Sequence, residues 1–198
     1  MDRKAIITLP HEDLRVKSSK IAVITDEIKQ LIADMKSATL DWEDHRDHEV
    51  GVALAAVQID KLYRVVIIRD DFDDKKNRDF TVFINPTIAK YYGGIEEDFE
   101  GCLSIKDIYG KVPRHNKVKV DAMDEEGQMF RINAEGFLAR VFQHEIDHTD
   151  GIVYIDHIKD DPTAFYKLDK SGKLEPLDYE KHIKDNVTLW GQPANIEA

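Results

Sequence analysis

Apolar and polar positions repeat with two different periods along this chain. Ile28, Leu31, Ile32 and Met35 fall at i, i+3, i+4 and i+7, the single stripe of an amphipathic helix. The spacing predicts a helix over 26–38, with Thr25 as N-cap and Asp26 and Glu27 at the positive end of its dipole. A second helix is predicted over 134–149. There Phe137, Val141, His144 and His148 share one inward face, and Gly151 follows as a stop. Residues 63–69 and 80–84 are rich in β-branched and aromatic side chains and flank the charged segment 70–79. They read as two strands with an exposed connection. Val118, Val120 and Ala122 alternate along 117–123, Asp124-Glu125-Glu126-Gly127 supplies a turn, and Phe130 and Ile132 alternate on the return, which predicts a hairpin. Residues 152–155 fit a closing strand. The charged stretch 41–48 reads as a loop, and the polar tail from about 160 as loosely attached. Hairpin-linked strands with few helices imply an α+β fold, in one domain over 1–198.

Composition narrows the function. The 198 residues are 42% apolar and 34% charged, with a formal net charge of -11. Such a surface repels phosphate backbones and anionic lipid, so nucleic acid and membranes are poor partners. The longest apolar runs, 51–57 and 65–68, fall far short of a membrane span. The apolar stretch after Lys4 is too short for a signal peptide, so a cytoplasmic location is expected, or an organelle after loss of a targeting segment. A single cysteine, Cys102, makes no internal disulfide.

The chemistry begins with His144-Glu145-Ile146-Asp147-His148. Histidines at i and i+4 on a helix can reach one metal ion. Glu145 lies about 100° around the helix from His144, where a carboxylate can take a proton from water beside a metal. A catalytic metal site wants a third protein ligand. Asp156, His157, Asp169 and Glu175 lie downstream, and Cys102 lies upstream in Glu100-Gly101-Cys102-Leu103-Ser104. Spacing alone leaves three readings open: a zinc peptidase of HExxH type, a thiol hydrolase using Cys102, and a hydrolase with Cys102 as ligand. The segment Gly51-Val52-Ala53-Leu54-Ala55-Ala56-Val57-Gln58 reads as a small-residue strand beside a groove for an extended peptide. On its own, Gln58 is an ordinary surface amide. His45 and His48 in the charged loop raise a second metal site, although loop histidines are usually just solvated.

Taken together and in order, the 51–58 segment, the EGCLS segment and the HExxH segment resemble the peptide deformylase family. Asp13-Leu14-Arg15, Val112-Pro113-Arg114 and Gly151-Ile152 extend the resemblance over most of 1–158. The resemblance implies antiparallel β-sheets packed around a central helix that carries the HExxH motif. It implies Cys102, His144 and His148 as ligands of one divalent ion, natively Fe(II), with Zn, Ni or Co as substitutes. It implies Glu145 as general base, with the Gln58 amide and the Leu103 backbone N–H stabilising the oxyanion. Gly51, Val52, Ala53, Phe137 and Val141 would bind substrate, and Arg114 would pair with Glu100 behind the ligands. The implied substrate is the formyl-methionine end of new polypeptides, met close to the ribosome by a monomer or weak oligomer. Ala53 stands where the family usually has glycine, which bears on substrate fit. A non-catalytic peptide-binding protein on the same scaffold is the remaining alternative.

Overall fold

The computed structural model of the protein describes residues 1–46, 49–169 and 172–191. His48 of the charged loop and Pro193 of the tail lie outside the described residues. Helix α1 (Asp26–Glu43) forms where the apolar stripe places it, and the Thr25 hydroxyl accepts the Ile28 N–H at its start. Ile28, Leu31, Ile32 and Met35 are all buried. The helix runs five residues past its predicted end at 38, so 41–43 are helical rather than loop. The reason is Glu43. Its carboxylate is buried against the guanidinium of Arg69 and also accepts the Gly51 N–H at 2.9 Å. A charge that looks solvated in sequence is a tertiary anchor.

Among the described residues, seven strands form one sheet rather than several, and every strand pairing in it is antiparallel. β1 (Ala53–Ala55), β2 (Val65–Arg69), β3 (Phe80–Cys102) and β4 (Ile105–Met123) lie side by side in that order. β5 (Met129–Glu135) pairs with the far end of β4, and β6 (Phe165–Leu168) and β7 (Leu174–Pro176) continue from its near end. The predicted strands 80–84 and 117–123 are the outer ends of β3 and β4. The middle of β3 is largely exposed on both faces, and β4 opposite it does alternate, but its buried positions there include Gly110 and Arg114, which an apolar pattern does not mark. The turn over Asp124–Gly127 and the return strand sit as predicted, with Val118, Val120 and Ala122 buried.

Helix α2 (Gly136–Thr149) packs Ala139, Phe142 and Ile146 against Val66, Val118 and Val120 of the sheet. Gly151 follows with φ +77°, and a Cβ there would lie 2.7 Å from the Arg15 carbonyl oxygen. The segment after it is a 3-10 helix, Tyr154–Ile158, not a strand. Its apolar residues are buried by turning them under β4, which the run Ile152-Val153-Tyr154-Ile155 does not distinguish from sheet. The tail is docked. Phe165, Ile183 and Leu189 are buried in a third apolar cluster with Leu14, Val112 and Ile155, followed by the one-turn helices α3 (Tyr179–His182) and α4 (Val187–Trp190). Widely spaced single apolar residues hold it down, and a polar average conceals them. Among the described residues, no helix is long and apolar enough to cross a membrane.

Candidate metal centre

Cys102 is the last residue of β3, and Leu103 and Ser104 make the turn into β4. This hairpin end meets α2. The sulfur lies 3.2 Å from His148 Nε2, and the donor atoms of Cys102, His144 and His148 all lie within 4.8 Å of one another. One sulfur and two imidazole nitrogens, packed this closely, fit a single divalent ion and leave room in its coordination sphere. The fit extends to orientation. His144 Nδ1 is bonded to Glu100 Oε2 at 2.8 Å, which leaves its other ring nitrogen for the Cys102 side. His148 is almost fully buried.

Glu100 is the hub behind these three donors. Arg114 donates to both its oxygens, at 2.9 and 3.1 Å, and reaches Asp147 of α2 at 2.5 Å. Burial alone would push the Glu100 carboxyl up. Hydrogen bonds and charge from His144 and Arg114 override it and hold the group well below the usual carboxylate range. Burial likewise opposes a charged His144, but contact with Cys102 and Glu100 lifts that imidazole well above its ordinary value. His148 goes the other way: burial and the neighbouring cationic groups His144 and Arg114 push it well below. A bound cation would add its own charge and favour the thiolate and two neutral imidazoles.

Glu145 is set apart from this network. Its side chain is buried, and its Oε2 has no hydrogen-bond partner among the described residues. Burial pushes the carboxyl up to about 7, against the pull of His144 and with a push from Glu100. On the far side of the sulfur stands Gln58. It is buried at the end of the 3-10 turn Ala56–Ile59, so it is not a surface amide. Its Oε1 accepts the Ala55 N–H at 2.9 Å, and its Nε2 lies 3.2 Å from Ser104 Oγ and 3.5 Å from Cys102 Sγ.

Gln58, Cys102, His144 and Glu145 line a cavity of about 240 Å³, and His148 lies outside its lining. Val52, Ala53, Leu103, Phe137 and Val141 all reach it, as do Glu100 and Glu145. Phe137 is half-exposed at its mouth, edge-on to Phe72 at 5.0 Å, so this one position of the inward face opens to solvent. Gly51 does not line the cavity. Its N–H goes to Glu43, and a Cβ there would lie 2.6 Å from the Thr39 methyl, so its smallness serves the contact with α1. The alternative third ligands are engaged elsewhere: His157 bonds Asp147, Asp156 bonds Arg15, and Glu175 faces Lys167. Sequence reasoning missed Ser104, Asp147, Arg140 and the walls Trp42, Glu49, Phe99 and Tyr109. Of these only Arg140 carried a signal, one turn before His144 on an inward-facing helix.

Hairpin and helix thus bring together a thiol and two imidazoles that could hold one metal ion, with a carboxylate and an amide facing the same cavity, and the class such an arrangement fits is the metal-dependent hydrolases. A family model described as polypeptide deformylase matches residues 3–163, and the chain belongs to that family. A peptide deformylase of Thermomicrobium roseum is 39% identical over 170 residues, 84% of this chain and 92% of that relative. One from Brachyspira hyodysenteriae is 41% identical over 158 residues, 79% of this chain and 81% of its own. The fold matches the crystal structure of a Synechococcus elongatus peptide deformylase in complex with actinonin at TM-score 0.68 and 33% identity, over 77% of this chain and 76% of that one.

Proposed function

We propose that this chain removes the formyl group from the N-terminal formyl-methionine of newly made polypeptides, releasing formate and a free amine. The observation that carries the reading is the convergence of Cys102, His144 and His148 donor atoms beside both Gln58 and Glu145. The three ligands would hold one divalent ion. Thiolate and imidazole suit Fe(II), Zn, Ni or Co, with Fe(II) the native ion on the family resemblance. Bound there, the ion supplies Lewis acidity, which polarises a carbonyl and makes water nucleophilic near neutral pH.

The side chains do the rest. Glu145 takes a proton from the attacking water on its buried carboxylate and hands it to the departing nitrogen. The Gln58 amide N–H and the Leu103 backbone N–H donate to the oxygen that gains charge, each contributing about 3 kcal/mol. Glu100, braced by Arg114, orients His144. β1 lies at the end of the sheet order, and Val52 and Ala53 face the cavity, so an extended peptide can lie along it as an added strand. Ala53 narrows that path by one methyl group. Val141 and Phe137 form the apolar wall for the methionine side chain. In this reading α2 is the central helix of one catalytic domain, which includes the docked tail. A peptide deformylase of Acinetobacter baumannii, 27% identical, has been crystallised with Met-Ala-Ser bound, which supports a peptide of that kind as ligand.

The test is formate release from formyl-Met-Ala-Ser by wild type and Glu145→Gln, prepared without oxygen and analysed for metal. Release by wild type, a loss of about 10²–10⁴-fold in the variant and about one ion per chain in both are expected. Metal retained without any release by wild type, across Fe, Ni, Co and Zn, would sink the assignment.

A further inference from the structure

We infer that Arg140 is a positioning residue that sets where the cysteine of the hairpin meets the histidines of the helix. The inference rests on reading Cys102, His144 and His148 as ligands of one ion. Those ligands come from β3 and α2, and a metal centre tolerates misplacement of only about 0.5 Å. The side chains between the two elements must therefore fix their relative position.

Arg140 does this with one planar group. Its side chain is buried, and NH1 donates to Glu100 Oε1 at 2.9 Å and to the Val112 carbonyl at 2.7 Å. NH1 also reaches the Asp98 carbonyl at 3.4 Å, and NH2 donates to the Glu96 carbonyl at 2.7 Å. A helix residue thus grips both strands of the hairpin. It grips them where grip is needed: the β3–β4 ladder slips register between Tyr92 and Ile95 and again between Glu100 and Cys102. Residues 96–100 lie between the two slips.

The coupling to the ligands is short on both sides. Arg140 precedes His144 by one helical turn, and Glu100 precedes Cys102 by two residues. The Glu100 carboxylate takes Arg140 on Oε1 and His144 on Oε2. Arg114 supports the same carboxylate from β4 and pairs with Asp147, and Gln143 bonds the His115 main chain, but of these three side chains Arg140 alone reaches the main chain of both strands. Three of the four acceptors of Arg140 are main-chain carbonyls. A lysine keeps the charge but is a point donor and cannot span them.

The experiment compares metal-free wild type, Arg140→Lys and Arg140→Gln, with Arg131→Lys as a control in the exposed Asp121 pair. Circular dichroism establishes folding. Co(II) affinity is measured by chelator competition, and the visible Co(II) absorption reports coordination. Arg140→Lys is expected to fold, to lose about 10–100-fold in Co(II) affinity and to show a shifted band, with Arg131→Lys unchanged. Arg140→Gln, which keeps a shorter planar donor, carries the same expectation should the lysine variant not fold. A variant with a lower melting temperature but wild-type Co(II) affinity and spectrum overturns the inference, because a merely structural arginine would give that result. Failure of wild type itself to take up Co(II) overturns the metal-centre reading and this inference with it.

Discussion

Gln58 commits one amide to two directions. Its oxygen is held by the Ala55 N–H, so its nitrogen points at Ser104 and Cys102. A donor fixed before substrate arrives needs no reorganisation when charge develops. Gln58→Leu is therefore expected to lower kcat for formyl-peptide hydrolysis by about 10²–10³-fold with metal content unchanged. Loss of metal instead would assign the amide to the thiolate. Cys102→Ser should do the reverse, abolishing stoichiometric metal by elemental analysis, since a hydroxyl is a far weaker ligand than a thiolate. Much of this site was legible in the sequence. His144, Glu145 and His148 are readable because their relation is local, two residues on one helix face with a carboxylate between. Cys102 and Gln58 were reachable only through the resemblance, because nothing in spacing says which strand end meets the helix. Tyr109 was not legible, and Arg140 showed only its helix face, because the partners of both are chosen by the long hairpin.

At the scale of elements, α1 and the strand pair β1–β2 are joined by charge and by close approach. Arg69 and Glu43 form a buried pair, and Gly51 uses the same carboxylate. Breaking such a pair leaves an uncompensated buried charge. Arg69→Met is expected to cost about 3–5 kcal/mol in denaturant unfolding. Gly51→Ala should cost about 1–3 kcal/mol, and adding Thr39→Ser, which removes the nearest methyl, should recover part of it. Full recovery would show that the Thr39 carbonyl oxygen, 3.1 Å from the new Cβ, is no obstacle. Periodicity found α1 and the β4–β5 turn because each buries one face. It stopped short at Glu43, because a polar side chain that is buried and paired looks the same in sequence as one in water. It turned 152–155 into a strand because a short apolar run carries no period of its own.

Among the described residues three apolar clusters hold the molecule, and the third joins the N-terminal segment to the segment 164–190. Leu9 and Leu14 share it with Phe165, Ile183 and Leu189. Each such side chain contributes about 1.5–3 kcal/mol when fully buried. Ending the chain after Thr163 is expected to lower the melting temperature sharply or to prevent folding, whereas a loosely attached tail would leave it unchanged. The metal should stabilise the whole molecule as well. An ion at 100 times its dissociation constant adds about 2.7 kcal/mol, roughly 5–10 °C in a domain of this size. A chelator should remove that increment in wild type and do nothing to Cys102→Ser.

The division of the three donor residues between the end of β3 and the end of α2 also has a meaning in time. During synthesis Cys102 leaves the ribosome well ahead of His148, and at about 5–20 residues per second the interval is roughly 2–9 s. Over those seconds the thiol has neither imidazole beside it nor helix above it. The cluster of sulfur and two imidazole nitrogens thus comes into being only when the last of its three donors has been made.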